Sequence, residues 1–196
     1  MSEVSEVKEL KEIKEVKQIT PEQLEKGILN LPPYLFEAVK DRLDKLPMPI
    51  LEALALKSPI SKEKMIQYGI PFNRHEMRKL ALEAIYQHLL LGKDIKRAIF
   101  DVMNQSNQID GYLYSISVGT VENEDYFKDL LSSKLRKDWS LDRLSLLELA
   151  ILMMASQEIL VNETPKPVVI DEAVNLAKEY CDDSAPKLIN GILDTL

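Results

Sequence analysis

The chain has few of the residues that usually build catalytic, metal or phosphate-binding sites. Its 196 residues include one cysteine, two histidines and six glycines that stand singly. Cys181 alone cannot form an internal disulfide, which is typical of a reducing compartment, and it cannot make a cysteine-rich metal framework. Isolated glycines do not form a glycine-rich phosphate loop. We therefore expect no cofactor, no bound metal and no nucleotide chemistry.

Long hydrophobic runs are also missing from the sequence. No stretch approaches the roughly 20 consecutive apolar residues of a membrane-spanning helix, and the N-terminus alternates Glu and Lys where a secretion signal would be apolar. These features predict a cytoplasmic protein with no membrane partner. The net charge of −7 argues against a protein that coats nucleic acid through overall positive potential, so any RNA contact must be local.

The sequence specifies no catalytic arrangement. Catalysis requires a nucleophile with a base, paired carboxylates in a cleft or a metal cluster, and none of these patterns is present. His88 falls on the apolar face of a predicted helix, where a hydrogen-bonded core histidine is a better interpretation than a catalytic one. We expect that the protein is not an enzyme and has no catalytic residues.

Residues 1–72 divide into two predicted parts. Residues 1–19 are a low-complexity charged arm with an apolar residue at every third position. Such apolar positions wind around a helix, so a frayed helix or disordered arm is favoured over a partner-binding helix. Residues 20–72 form a small helical extension, with helices predicted at 33–46, at 50–57 and from Ser61 to Gly69. We assign this extension no function.

Residues 73–196 show a stronger helical periodicity and no comparable strand pattern. Helices are predicted at about 73–92, 94–106, 111–121, 123–137, 141–161, 168–181 and 185–195. The stretch from Leu144 to Leu160 is apolar around most of its circumference, which predicts the central buried helix of this domain. The predicted fold class is all-α.

Four blocks of sequence carry the strongest specific signal. In order, they are RHEMRKLALEAIYQ from Arg74, WSLDRL from Trp139, IDEAVNLAK from Ile170 and NGILD from Asn190. Together they resemble the NusB family over residues 73–196. The resemblance implies a NusB-like helical bundle of two subdomains that binds boxA RNA together with NusE, a ribosomal protein. The implied role is transcription antitermination, in which RNA polymerase reads through terminators.

The first block is where we expect most of the RNA contact. Basic residues attract phosphate, and Tyr86, about two turns further on, offers a stacking surface for an unpaired base. We expect Arg78 and Lys79 to project away from the apolar face of this helix. An ordinary solvated helix end is the alternative interpretation. The predicted RNA-binding residues here are Arg74, His75, Arg78, Lys79 and Tyr86.

Two further sites are implied by the resemblance. Asp183 and Lys187, around the loop before the last helix, match family residues beside the RNA surface; helix capping and solubility are their alternative roles. Ser184 is expected to cap that helix. Glu148 matches a family acid that faces NusE, and an acid is otherwise unusual in so apolar a run. Its alternative is a salt bridge within the domain.

The sequence departs from the family pattern at four positions. Met153 stands where Arg is usual, Gln157 where Tyr is frequent, Asp171 where Asn is usual and Leu188 where Phe is frequent. The missing aromatic at 188 is expected to weaken RNA binding. The alternative function is therefore a protein-interaction or dimerisation module that has lost RNA contact, and the oligomeric state is left open. The RNA-binding part of an RNA methyltransferase is a poorer alternative, since no α/β cofactor domain is present.

Overall fold

The computed structural model describes residues 20–106, 109–136 and 139–196. The charged arm predicted at residues 1–19 lies outside them. The chain divides into two compact units, Met1–Pro71 and Phe72–Leu196. Within the described ranges all regular secondary structure is helical, which confirms the predicted fold class. None of the described helices is long and apolar enough to cross a membrane.

The first unit has four α-helices in its described part, and proline occupies the first turn of three of them. The helices are α1 (Pro21–Leu29), α2 (Pro33–Val39), α3 (Met48–Ala55) and α4 (Lys62–Gln67). Proline is favourable there because the N–H that it lacks would have no helical partner. Helix α1 lies close against α3, since a Cβ on Gly27 would come within 2.6 Å of the Ala55 carbonyl oxygen.

The helix predicted at 33–46 is interrupted. Helix α2 ends at Val39, and a 3₁₀ turn follows at Lys40–Lys45, in which Arg42 leaves helical geometry (φ −142°, ψ 16°). The Arg42 guanidinium donates hydrogen bonds to the carbonyl oxygens of Ala38 at 3.1 Å and of Gly69 at 2.5 Å. Gly69, with φ of +60°, ends the turn after α4. The prediction of one continuous helix was wrong because Arg42 is turned toward Gly69.

The second unit is a helical bundle whose elements follow the predicted order, with ends shifted by a few residues. Its helices are α5 (Arg74–Leu91), α6 (Ile95–Val102), α7 (Gly111–Tyr114), α8 (Glu124–Lys134), α9 (Leu146–Leu160), α10 (Lys166–Tyr180) and α11 (Ala185–Leu193). A π turn at Ser115–Gly119 and a helical turn at Thr120–Glu122 lead from α7 to α8. Helix α5 begins at a capping box of Asn73 and Glu76 and ends at Gly92, whose φ is +64°.

Helix α9 is the central helix of the second unit. All residues from Leu149 to Glu158 are buried, and α9 packs against α5, α8, α10 and α11. This confirms the predicted buried helix. A polar group on such a helix must find its partners within the protein, because water cannot reach it. Glu158 is the charged residue in this buried part of α9, so it needs a partner within the protein.

Candidate nucleic-acid interface

Four basic side chains occupy the first two turns of α5. Residues four apart on a helix lie above one another, so Arg74 forms one column with Arg78, and His75 forms a second column with Lys79. The capping box at Asn73 fixes where the helix starts. The first column faces the ring of Tyr112 at the start of α7, and the second column faces α10.

Both arginines of the first column lie against the ring of Tyr112. The Arg74 guanidinium lies 3.9 Å from the ring centroid, and its Nη1 is 3.3 Å from Oδ1 of Asp110. Burial raises the pKa of the Tyr112 hydroxyl, and the charge of Glu158 raises it further. The hydroxyl therefore stays protonated at physiological pH. Arg74 rests on a neutral aromatic ring, to whose face a cation is attracted.

Arg78 does not lie where the sequence predicted. We expected it to project toward solvent, but it is only 5% exposed. Its Nε donates to Oε2 of Glu158 at 2.9 Å, its Nη2 donates to Oε1 of the same carboxylate, and its Nη1 lies 3.5 Å from Oε2 of Glu172. Burial disfavours the charge on Arg78, but Glu158 outweighs that effect and raises the pKa of Arg78. The guanidinium is held in the core, which disfavours the predicted RNA contact.

Glu158 is the partner that the sequence interpretation missed. A buried carboxylate needs a cation, since its desolvation is otherwise very unfavourable. An acid within the apolar central helix was therefore the available signal that a basic residue of α5 points inward. Arg78 is that residue, because Ala81, Leu82 and Ile85, which share its side of α5, are all buried.

The second column lies at the surface. Nδ1 of His75 is 2.8 Å from Oε2 of Glu172, and Nζ of Lys79 is 2.5 Å from Oε1 of Glu179. The Lys79 ammonium also lies 5.7 Å from the ring centroid of Tyr180. The hydrogen bond with Glu179 raises the pKa of Lys79, and the same bond lowers the pKa of Glu179. Both groups therefore stay charged at physiological pH.

Tyr180 links the second column to the loop after α10. It is 41% exposed and precedes Asp183 by three residues. Sequence reasoning did not single it out, although an exposed aromatic beside a lysine is the combination expected at Tyr86. Asp183 and Lys187 are exposed, and within the described residues neither forms a hydrogen bond or an ion pair with α5. The structure thus brings Tyr180, and not these two residues, against Lys79.

Two details near this surface differ from expectation. Tyr86 is half-buried and not exposed, although it lies seven residues after Lys79 and so on the same side of α5. Ser184 occupies the position before α11, but its side chain makes no capping hydrogen bond to the described backbone. Its backbone is already helical (φ −82°, ψ −23°), whereas a capping side chain requires an extended residue.

Glu148 has a local structural role. Its Oε2 accepts a hydrogen bond from the Ser145 N–H at 2.7 Å, and the Ser145 hydroxyl accepts one from the Glu148 N–H at 3.2 Å. This capping box explains an acid in the first turn of an apolar helix. Burial raises the pKa of the nearby Cys181 thiol to about 11, with the charges of Glu148 and Asp182 adding to the effect. Contact of Glu148 with a protein partner stays a prediction.

The four departures from the family pattern lie at different depths. Met153 and Gln157 are buried in α9. The Gln157 amide packs on Gly119 of the π turn, where an added Cβ would come within 2.6 Å of Nε2. Leu188 is half-buried against the edge of the core, and Asp171 is exposed. Two of the four substitutions therefore concern core packing and not the surface.

His88 is hydrogen-bonded through both ring nitrogens, as predicted for a structural histidine, although it is only half-buried. Its Nδ1 lies 2.7 Å from the Lys93 carbonyl oxygen, and its Nε2 lies 3.0 Å from Oε2 of Glu124. Burial raises the pKa of Glu124, but the hydrogen bonds from Lys128 and His88 outweigh burial and lower it. His88 thus joins the C-terminal end of α5 to α8.

Comparisons with known proteins agree on one family. The family model described as "NusB family" matches residues 75–196. The chain is similar to transcription antitermination protein NusB of an Exiguobacterium species, with 37% identity over 124 residues, which cover 63% of this chain and 95% of that protein. It is also similar to the protein of that name in Lacticaseibacillus casei, with 34% identity over 123 residues and coverage of 62% and 91%.

Solved structures give the same result for the fold. NusB of T. maritima is similar with a TM-score of 0.57 and 31% identity, over 64% of this chain and 91% of that one. A structure of antitermination factors NusB and NusE in complex with dsRNA is similar with a TM-score of 0.55, over 62% and 93% of the two chains. At 24% identity, this second likeness shows the fold alone.

Proposed function

The chain belongs to the NusB family, and from this membership we propose that it is a transcription antitermination adaptor that binds boxA-type RNA together with NusE. Relatives whose length it covers by more than nine-tenths are named transcription antitermination protein NusB. The chain acts on transcribing RNA polymerase as a binding protein, without catalysis, and works in the cytoplasm, where bacterial transcription takes place.

The observation that supports RNA binding is the placement of basic side chains of α5 beside aromatic rings of α7 and α10. Arg74 lies over Tyr112, and Lys79 lies beside the exposed Tyr180. Lys79 and Tyr180 are the usual combination for unpaired RNA, a cation that attracts phosphate next to a ring on which a base can stack. Arg78 supports this surface from inside the core. The proposed contact residues are Arg74, His75, Lys79, Tyr86 and Tyr180, with Asp183 and Lys187 in the adjoining loop.

The proposed contact with NusE is at the start of α9. Glu148 lies there, half-buried, and one oxygen of its carboxylate is used in the capping box. A carboxylate that is fixed by its own helix is held in one position for a basic group of a partner. In the structure of the family complex, NusB is bound with NusE and dsRNA.

Fluorescence anisotropy with labelled boxA RNA tests the proposal. The full chain is titrated into the RNA with and without NusE, at several salt concentrations, with a scrambled RNA of the same composition as control. We expect weak binding alone, tighter binding with NusE and a steady loss of affinity as salt rises, because phosphate contacts release counterions. Absence of binding with NusE present, or binding that salt does not change, would contradict the proposal.

One observation favours the alternative function, a NusB-fold interaction or dimerisation module without RNA contact. The basic side chains of the first two turns of α5 all have carboxylate partners within the domain. The same titration separates the two functions. The alternative predicts association with NusE, or of the chain with itself, and no change in RNA anisotropy.

A further inference from the structure

Three basic side chains at the surface of α5 each contact a carboxylate from another part of the second unit. Arg74 lies 3.3 Å from Asp110, His75 lies 2.8 Å from Glu172, and Lys79 lies 2.5 Å from Glu179. The carboxylates come from the start of α7, from the middle of α10 and from its C-terminal end, so the sequence brings none of them near α5. Three separate segments of the fold therefore supply counter-charges to one face.

These three pairs differ in accessibility from the fourth pair on the helix. The side chains of Arg74 and Lys79 are 59% and 32% exposed, and those of Asp110 and Glu179 are 49% and 44% exposed. Arg78 and Glu158 are buried. An exposed ion pair is weak and opens readily in water, whereas a buried pair does not. The surface pairs can therefore exchange their carboxylate for another anion.

The carboxylates cancel the positive potential that a polyanion would otherwise meet. The face holds the permanent cations Arg74 and Lys79, together with His75, against the carboxylates Asp110, Glu172 and Glu179. A phosphate that approaches Lys79 must displace Glu179 and then lie beside a carboxylate without a partner. Electrostatic attraction alone gains little from this exchange.

We propose that Asp110, Glu172 and Glu179 are specificity-determining residues, which keep the basic groups of α5 paired in the presence of non-specific polyanions and release them only to an RNA that also stacks on Tyr180. This role rests on the proposed RNA-binding function. A non-specific RNA such as poly(U) offers phosphate and weakly stacking uracil bases and makes no contact with NusE, so its phosphates compete with the carboxylates on nearly equal terms. A cognate RNA adds stacking on Tyr180 and contacts made with NusE, and these additional contacts favour replacement of the carboxylates by its phosphates.

Glu179→Gln tests the role, because it removes the charge at Glu179 and keeps the shape of the side chain. Binding of the full chain to poly(U) is measured by anisotropy across a salt series, with folding checked by circular dichroism. We expect poly(U) affinity to rise roughly three- to tenfold at low salt and the salt dependence to steepen by about one phosphate contact. The ratio of boxA affinity with NusE to poly(U) affinity should fall.

Asp101→Asn is the matched control. It makes the same change in net charge and releases Lys93 and Arg97, whose nitrogens lie 2.9 and 3.2 Å from the Asp101 carboxylate. These residues follow the C-terminal end of α5, about 27 Å from its start. A gain in poly(U) affinity as large as that of Glu179→Gln would show a general charge effect and overturn the proposal.

Asp110→Asn is an independent second variant. Asn retains the oxygen that accepts from the Tyr112 N–H at 2.8 Å, so the start of α7 keeps its cap while Arg74 loses the negative charge beside it. If neither variant gains affinity for poly(U), the inference is overturned, even when wild type binds boxA. If wild type fails to bind boxA with NusE but both variants gain on poly(U), the proposed function fails and the exclusion of polyanions stands.

Discussion

Arg78 and Lys79 are neighbours in the sequence, but they lie on opposite sides of the boundary between core and surface. Arg78 is 5% exposed and donates two hydrogen bonds to the buried Glu158. Lys79 pairs with Glu179 in contact with solvent. Both are pairs of a cation with a glutamate, but the guanidinium of Arg78 makes two hydrogen bonds at depth and the ammonium of Lys79 makes one contact at the surface. Depth decides whether a cation of α5 serves the fold or can serve a ligand.

Energetics follow from that difference. Removing one partner of a buried pair leaves a charge without water or a counter-ion, which typically costs about 3–5 kcal/mol. An exposed pair contributes about 0.2–1 kcal/mol, because water replaces either partner. A face that must exchange anions is therefore better built from exposed pairs, and a helix that must stay in place from buried ones.

The largest effect that we predict is on the inner side. Arg78→Met should lower the free energy of unfolding by about 3–5 kcal/mol, since Glu158 would be left buried without its cation. Lys79→Met should lower it by less than about 1 kcal/mol. Urea denaturation followed by circular dichroism measures both. Equal losses for the two variants would show that the depth of the pair does not decide its contribution to stability.

A double variant is the control for that experiment. Arg78→Met combined with Glu158→Leu leaves no buried charge, and apolar residues of similar volume often replace such a pair at little cost. We expect the double variant to regain most of the stability that Arg78→Met loses. If the double variant is no more stable than Arg78→Met, the loss of stability comes from packing and not from the unpaired charge.

On the outer side, binding should change more than stability. Lys79→Glu should weaken boxA binding in the presence of NusE by roughly tenfold at low salt, because it removes one phosphate contact and adds repulsion. Its urea midpoint should stay near that of wild type. Lys96→Glu, an equal charge change at an exposed position of α6, is the control and should have a smaller effect. Equal losses for both would mean that only net charge matters.

The smallest predicted effect concerns Glu124, the first residue of α8, which pairs with His88 near the C-terminal end of α5 and lies at an intermediate depth. Its side chain is 20% exposed, and Lys128 and His88 lower its pKa from the ordinary value of 4.5. A lowered carboxyl pKa contributes stability above the unfolded value, which is lost as pH falls through the folded value. Glu124→Gln should cost about 0.5–1 kcal/mol near pH 7, and the gap from wild type should close below about pH 4.

Thermal or urea unfolding between pH 7 and pH 3 measures that gap. Glu122→Gln, in the exposed turn just before α8, serves as the reference. A gap for Glu124→Gln that stays constant down to pH 3 would mean that the loss comes from packing and not from the carboxylate charge.

The sequence was a good guide to the fold. Periodicity located α5, α9 and α10, because the burial of one face, or of most of the circumference in α9, determines where apolar residues occur in the sequence. It failed at the helix predicted for 33–46. There Arg42 turns its side chain to Gly69, 27 positions away, and no local pattern records such a contact.

The candidate site was less predictable than the fold. The sequence located the basic start of α5 but could not rank its residues by depth, since Arg78 reads as one more surface cation until Glu158 is recognised as its partner. It also gave no sign of Asp110 and Glu179, which meet α5 only through the packing of α7 and α10. The RNA contacts themselves stay predictions.

The Arg78 to Glu158 pair also fixes the axial register of two helices. These residues are 80 positions apart in the chain, and both hydrogen bonds between them require α5 and α9 to keep one alignment. A slip of α5 by one turn, about 5.4 Å, would separate the guanidinium from the carboxylate, whereas apolar side chains could repack after such a slip. The surface residues of α5 therefore owe their positions to two hydrogen bonds in the core.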